Sequence, residues 1–179
     1  KTIVKNHRKD ILLATKCPVW EVNTPEDFDR IFNDQLSKLG TDYIDFYLLH
    51  ALDSERWEHV LKLGLLERTL ALKNEGKIRH IGFSFHDSLD SFKTIINGWD
   101  KWEFCQIQLN YINIDHQAGI AGLEYAKSKG LDVIIMEPLL GGRLANPPAE
   151  VKKTLGKSRT PVDFALSFLW NRPEVSLLL

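Results

Sequence analysis

Two successive apolar runs of this 179-residue chain close on residues that could do chemistry: ILLATK ends on Lys16 and DFYLLH ends on His50. Both runs are apolar on both faces and flanked by helix-length segments, the pattern of parallel strands covered by helices. As parallel strands they place Lys16 and His50 at the same end of one sheet, separated laterally by about one inter-strand spacing of ~5 Å. An ammonium and an imidazole so placed can stabilise the charged form of a neighbouring acid and donate a hydrogen bond to a carbonyl oxygen. Lys16 also fits a Schiff-base nucleophile, or an ordinary lysine whose ammonium snorkels past the strand end. His50 alone also fits a hydrogen-bonded core histidine. The coincidence of the two at one mouth favours a joint function.

Three further strand patterns end on polar groups: HIGFSFH at Ser84 and His86, CQIQLN at Gln106 and Asn110, and VIIMEP at Glu137. Gln106 and Asn110 could serve a planar carboxamide, or bond within their own loop. His86 and Glu137 raise a metal hydrolase, which needs several converging ligands. The chain has no H-x-H pair, and Lys16 would repel a cation, so no metal ligand is assigned. Cys17 beside Lys16 lacks a base or resolving thiol and reads as structural. Met136 and the tryptophans read as packing.

These residues need a frame, and the periodicity predicts one. Strands are expected over 11–16, 45–50, 78–85, 103–109 and 133–137, with a sixth at 175–179 cut at its end. Helices are expected between them. Thr24-Pro25-Glu26-Asp27 reads as a cap, a first-turn proline and an acidic first turn. Asp53-Ser54-Glu55 and Thr160-Pro161-Val162-Asp163 give similar starts, and Gly40, Gly76 and Gly130 give stops. A looser stretch over 144–159 holds Pro147-Pro148 and one short helix. The alternation predicts an α/β fold with a parallel sheet. Six βα units of roughly 30 residues match about three quarters of a TIM (β/α)8 barrel, whose eight units take roughly 250 residues. Two sheet edges are then exposed, or supplied by sequence outside 1–179. An open doubly wound sheet competes, but no G-x-G-x-x-G turn is present and Gly141-Gly142 is too short to count. The whole of 1–179 reads as one barrel domain.

Composition narrows the function. With 44% hydrophobic residues the chain can bury a substantial core, and a net charge of -1 leaves no electrostatic footprint for nucleic acid or an anionic membrane surface. Its apolar runs fall far short of the ~18 residues of a bilayer span. Two isolated cysteines suit a reduced, cytoplasmic setting. The opening on Lys1, within the basic stretch KTIVKNHRKD, suggests a natural start upstream.

ILLATK, TDYIDFYLLH, GKIRHIGFSFH, FCQIQLNYIN, VIIMEPLLGGRL and TPVDFALSFLWNRPEVSLLL, in this order and spacing, closely resemble the aldo/keto reductases across nearly the whole chain. EPLLGGRL resembles in particular a bacterial and archaeal branch, some members of which append an iron–sulfur domain; here such a cluster would lie outside the chain. The resemblance implies an eight-stranded barrel of which the third to eighth strands are present. It implies reduction of a small-molecule aldehyde or ketone by hydride transfer from NADPH at the barrel mouth. Residue by residue, Lys16 matches the family's catalytic lysine and His50 its carbonyl-orienting histidine. Ser84 and Gln106 match the groups that hold the nicotinamide carboxamide. Met136 stands where many members stack a tyrosine on the nicotinamide, and Glu137, Leu139 and Gly141 fall in the loop along the pyrophosphate. Departures accompany these matches. Phe85 replaces a usual asparagine, and 152–159 is a few residues short. The proton-donating tyrosine, its aspartate and the adenosine-binding segment are expected outside the chain. Alone, the chain is expected to be inactive. Two other classes stay open: a non-catalytic, reductase-like module that binds the nicotinamide for regulation, and a Schiff-base aldolase using Lys16.

Overall fold

The computed structural model describes residues 2–155 and 159–179. Along them run α1 (Thr2–His7), β1 (Ala14–Cys17), α2 (Pro25–Leu39), β2 (Ile44–Leu52), α3 (Ser54–Lys62), α4 (Leu65–Asn74) and β3 (Ile78–Phe85). Then come α5 (Leu89–Gly98), β4 (Phe104–Gln108), α6 (Gly119–Ser128), β5 (Asp132–Met136), α7 (Ala149–Leu155), α8 (Pro161–Trp170) and β6 (Val175–Leu178). Short 3-10 turns at Val19–Glu21 and Arg143–Ala145 follow β1 and β5. The expected short stretch over 152–159 passes through 156–158, outside the described residues.

All five strand pairings are parallel, and the sheet order is the sequence order, β1-β2-β3-β4-β5-β6. A doubly wound sheet must reverse its strand order at a switch point. This sheet never does, so each crossover carries the chain onward in one direction, as in a barrel. Among the described residues β1 and β6 each pair with one strand only, leaving two edges. The barrel is incomplete.

Alternation along the strands sorts the two faces. Cys17, Tyr47, Leu49, Phe83, Phe85, Cys105, Ile107, Val133 and Ile135 are fully buried beneath the helices. The opposite, concave face carries Ala14, Phe46, Phe104, Ile134 and Leu177 around a cavity of about 640 Å³. Helix starts follow their caps. Thr24 accepts from the Asp27 amide while the Asp27 carboxylate returns to the Thr24 amide, with Pro25 at the first helical position. That fixes the entry of α2, whose Phe28 and Phe32 meet the Tyr47 ring edge-on at 6.2 and 5.1 Å. α2 stops at Gly40, whose φ of 72° is a left-handed turn that disfavours residues with a Cβ.

At the amino-terminal end of the sheet, the buried Asp45 carboxylate accepts from Arg8 at 2.8 Å, Arg79 at 3.0 Å and the Leu13 amide at 2.9 Å. Both guanidinium groups lie over the Tyr43 ring. This clasp ties the segment after α1 to β2 and β3. No helix among the described residues is long and apolar enough to cross a membrane.

Candidate active site

Lys16 lies on β1 opposite Leu48 of β2, and Leu48 opposite Gly82 of β3. His50 and Ser84 are each two residues beyond that row. With a period of two they share the concave face with Lys16. Ser84 pairs with Gln106, Gln106 with Ile134, and Ile134 with Leu177. Gln108 and Met136 form the next pair along the strands. Lys16, His50, Ser84, Gln106 and Met136 therefore rise along one concave wall toward the carboxyl ends of the strands. Lys16 and His50 are diagonal neighbours, one strand apart and one pleat offset, so the expected lateral spacing is joined by a step along the strand.

The electrostatics of the mouth are those of crowded basic groups. Burial lowers the Lys16 pKa, with no carboxylate among the described residues to offset it. His50 is also held below the usual imidazole value, first by burial, then by the positive fields of Lys16, His86 and Arg56. His86 is depressed by burial and by Lys16. The mouth is thus a cluster of basic groups that destabilise one another's charged forms, an arrangement receptive to developing negative charge. Cys17 faces away from it, under α2, and burial pushes its thiol up to about 12. It is inert, as its sequence setting suggested.

β2 carries a bulge at His50. Leu49 pairs with Phe83 and Leu52 with Phe85, so three steps on β2 match two on β3. The extra residue is accommodated at Ala51, at φ 54°. The Ala51 amide donates to Ser84 Oγ at 2.8 Å, which leaves the Ser84 hydroxyl proton free to donate elsewhere. Gln106 is nearly fully buried, yet its Oε1 has no hydrogen-bond partner. A buried orphan acceptor is costly unless a ligand satisfies it. Asn110 behaves differently. Its side chain donates to the Glu137 carbonyl at 3.3 Å and accepts from the Ile112 and Asn113 amides, so it is spent within the loops.

Beyond β5 the backbone turns sharply, with positive φ at Glu137 (60°), Leu140 (50°), Gly141 (61°) and Gly142 (87°). Glu137, Leu139, Gly141 and Gly142 line a cavity of about 200 Å³ beside Leu179. The Gly141 and Gly142 amides make no backbone hydrogen bond among the described residues.

The sequence reading missed the groups around His50. The Trp20 ring packs against the imidazole at 5.0 Å between centroids, and Arg56 lies over Trp20 at 5.3 Å. Trp20 read as packing, and Arg56 was not singled out. The only local signal was an Asp53–Arg56 pair at the start of α3.

Comparison with known proteins bears on the fold and the family. An uncharacterized oxidoreductase of Schizosaccharomyces pombe is 30% identical over 145 residues, 79% of this chain and 44% of that protein. The L-galactose dehydrogenase of Arabidopsis thaliana is 27% identical over 148 residues, 79% of this chain and 46% of that protein. The chain spans about half the length of the curated relatives it matches. Among solved structures, an aldo-keto reductase from Bacillus halodurans in its holo form aligns with a TM-score of 0.74 at 20% identity, over 99% of this chain and 64% of that one. An aldo/keto reductase from Klebsiella pneumoniae, in complex with NADP and acetate, aligns with 0.70 at 22% identity, over 99% and 62%. These structures share the fold, and residues 1–176 match the sequence profile of the Aldo/keto reductase family. On that match, the chain belongs to the aldo/keto reductase family.

Proposed function

We propose that the chain forms the carbonyl-binding and nicotinamide-binding wall of an NADPH-dependent reductase of aldehydes or ketones. One observation carries the reading: Lys16, His50, Ser84 and the unpartnered Gln106 Oε1 share one concave wall. The fit to a carboxamide is specific. Gln106 Oε1 would accept from its NH2 group, and the Ser84 hydroxyl, already accepting from Ala51, would donate to its carbonyl. Met136 would offer an aliphatic surface to the ring. Glu137, Leu139 and Gly141, with the free Gly141 and Gly142 amides, would cradle the pyrophosphate. The nicotinamide when bound supplies a hydride.

The chain's own residues would orient the substrate and tune the proton donor. His50, held neutral, donates a hydrogen bond to the substrate oxygen and stabilises its developing charge. Lys16 stabilises the anion of a nearby proton donor. An unperturbed tyrosine titrates near ~10 and needs such a cation to act at neutral pH. Tyr47 does not serve: it is turned outward beneath α2, and burial raises it further. As the family resemblance implies, that donor would be supplied by residues outside 1–179. The NADP bound to the Klebsiella relative supports the cofactor assignment.

The test is aldehyde-dependent oxidation of NADPH by the intact protein, followed by loss of nicotinamide absorbance. Lys16→Met and His50→Gln are each expected to reduce turnover by ~10²–10³-fold, the scale for losing one oxyanion donor, with unchanged circular dichroism. Near-wild-type turnover in both variants would rule the assignment out. NADPH binding without single-turnover oxidation by any added aldehyde would favour a regulatory, nicotinamide-binding module instead.

A further inference from the structure

We propose that Arg56, in the first turn of α3, is a positioning residue for His50, acting through the Ala51 bulge and the Trp20 ring. This rests on the reading of His50 as the carbonyl-orienting group. Ala51 directly follows His50 and occupies a left-handed conformation that an L-residue with a Cβ disfavours. Such a conformation persists only where its surroundings over-determine it. Here both ends of the residue are held. The Ala51 amide donates to Ser84 Oγ at 2.8 Å, and the Ala51 carbonyl accepts from Arg56 Nη1 at 2.9 Å.

Arg56 is itself anchored. Its Nη1 also donates to Asp53 Oδ2 at 2.7 Å, while the other oxygen of the same carboxylate accepts from the Arg56 amide at 2.8 Å and caps α3. One carboxylate thus fixes both the helix start and the guanidinium. From that seat the guanidinium plane covers Trp20, and Trp20 packs on the imidazole at an interplanar angle of 47°. Arg56 therefore constrains His50 through the backbone after it and through the aromatic ring beside it, without touching the reacting atoms. One guanidinium nitrogen serves both acceptors while the delocalised cation lies over the indole; a lysine ammonium could reach the acceptors but has no planar group to set against the ring. The charged groups acting on His50 are Lys16 on β1, His86 beyond β3 and Arg56 on α3, all basic. Arg56 thereby also helps keep the imidazole neutral.

The experiment is a proton NMR titration of the His50 ring in the full chain, in the parent, Arg56→Gln and Arg56→Lys, together with turnover of the intact enzyme. Both variants are expected to shift the His50 Cε1–H resonance at fixed pH, because both lose the guanidinium that lies over Trp20. The midpoint of the His50 titration is expected to rise in Arg56→Gln and stay in place in Arg56→Lys, which keeps the charge. The His80 signal, at the other end of the sheet, serves as the unmoved reference. In turnover, both variants are expected to lower kcat about tenfold with little change in KM. A His50 resonance and midpoint unchanged in the variants would overturn the inference, as would loss of the fold in both, which would make Arg56 a structural strut. If Arg56→Gln alone fails to fold, the resonance shift in Arg56→Lys decides. Altered His50 signals in an enzyme that never oxidises NADPH would sink the proposed function and leave the positioning role standing.

Discussion

Gly82→Ala tests how closely β3 and β4 must approach beneath the candidate site. Gly82 lies mid-strand on the concave face, paired with Leu48 on one side and Phe104 on the other. A Cβ at this position would meet the Phe104 carbonyl oxygen at 2.5 Å and the Phe104 ring carbons Cε1 and Cζ at 2.7 Å. The first contact falls about 0.9 Å short of the 3.4 Å at which ordinary contacts begin. Neither group gives way easily. The oxygen belongs to the backbone of the neighbouring strand, and the ring lies edge-on to Phe46 at 5.3 Å, which in turn stacks on His80 at 5.0 Å. Relief requires β3 to part from β4 locally. Overpacking of this kind costs ~1–3 kcal/mol, while replacing a strand glycine returns ~0.5–1 kcal/mol. The net loss spans ~0–2.5 kcal/mol, with a central value of ~1.2 kcal/mol. With a urea slope of ~2 kcal/mol/M, the unfolding midpoint should fall by ~0.6 M at constant slope. Adding Phe104→Leu should recover only part of this, because the backbone oxygen remains. The Ser84–Gln106 pair, two residues beyond Gly82 and Phe104, should also bind NADPH more weakly if it seats the carboxamide. A midpoint equal to or above the parent's would refute the close-approach argument.

Asp45→Ala should cost ~3 kcal/mol, the scale for breaking a buried ion pair, since it strands Arg8, whose side chain is 13% exposed against the fully buried carboxylate; a urea-midpoint change equivalent to under ~1 kcal/mol would show that both arginines find water instead. Stability should also fall on acidification from pH 7.5 to 5.5. His50 and His86 are depressed by burial and by Lys16, so the unfolded chain takes up protons first as the pH drops through the unperturbed value of 6.5. The loss is complete only below their folded-state values. Asp87, held at about 2 by hydroxyls of Ser91 and Ser54, loses its contribution only in much stronger acid. A flat urea midpoint across pH 7.5 to 5.5 would contradict the histidine assignment, and His86→Gln should flatten part of the slope.

What was legible in advance follows the range of the interactions involved. Caps, stops and strand periods are set by residues within a few positions of one another. Thr24 with Asp27, Asp53 at the start of α3, and Gly40 accordingly stand where their local patterns put them. Strand ends are less local. Residues 11–13 are as apolar as a strand, yet β1 begins at Ala14, because the Leu13 amide is drawn to the Asp45 side chain and its carbonyl takes the Asp45 and Phe46 amides. β2 runs past His50 to Leu52 because Ser84, on another strand, holds the bulge. Lys16, His50, Ser84 and Gln106 were visible as strand-end residues, since a period of two and a parallel sheet already place them on one face. Which of Gln106 and Asn110 keeps a free acceptor, and which residues brace His50, was not visible.

By itself, then, the sequence determined the alternation of strands and helices, the chemistry at the strand ends and the family, because each depends on neighbours along the chain. Tertiary structure alone decided the diagonal offset of Lys16 and His50, the orphaned Gln106 oxygen and the joining of Trp20, Arg56 and Ala51 around one imidazole. Those depend on strand register and on contacts between segments tens of residues apart, and no local pattern encodes the register of a parallel sheet.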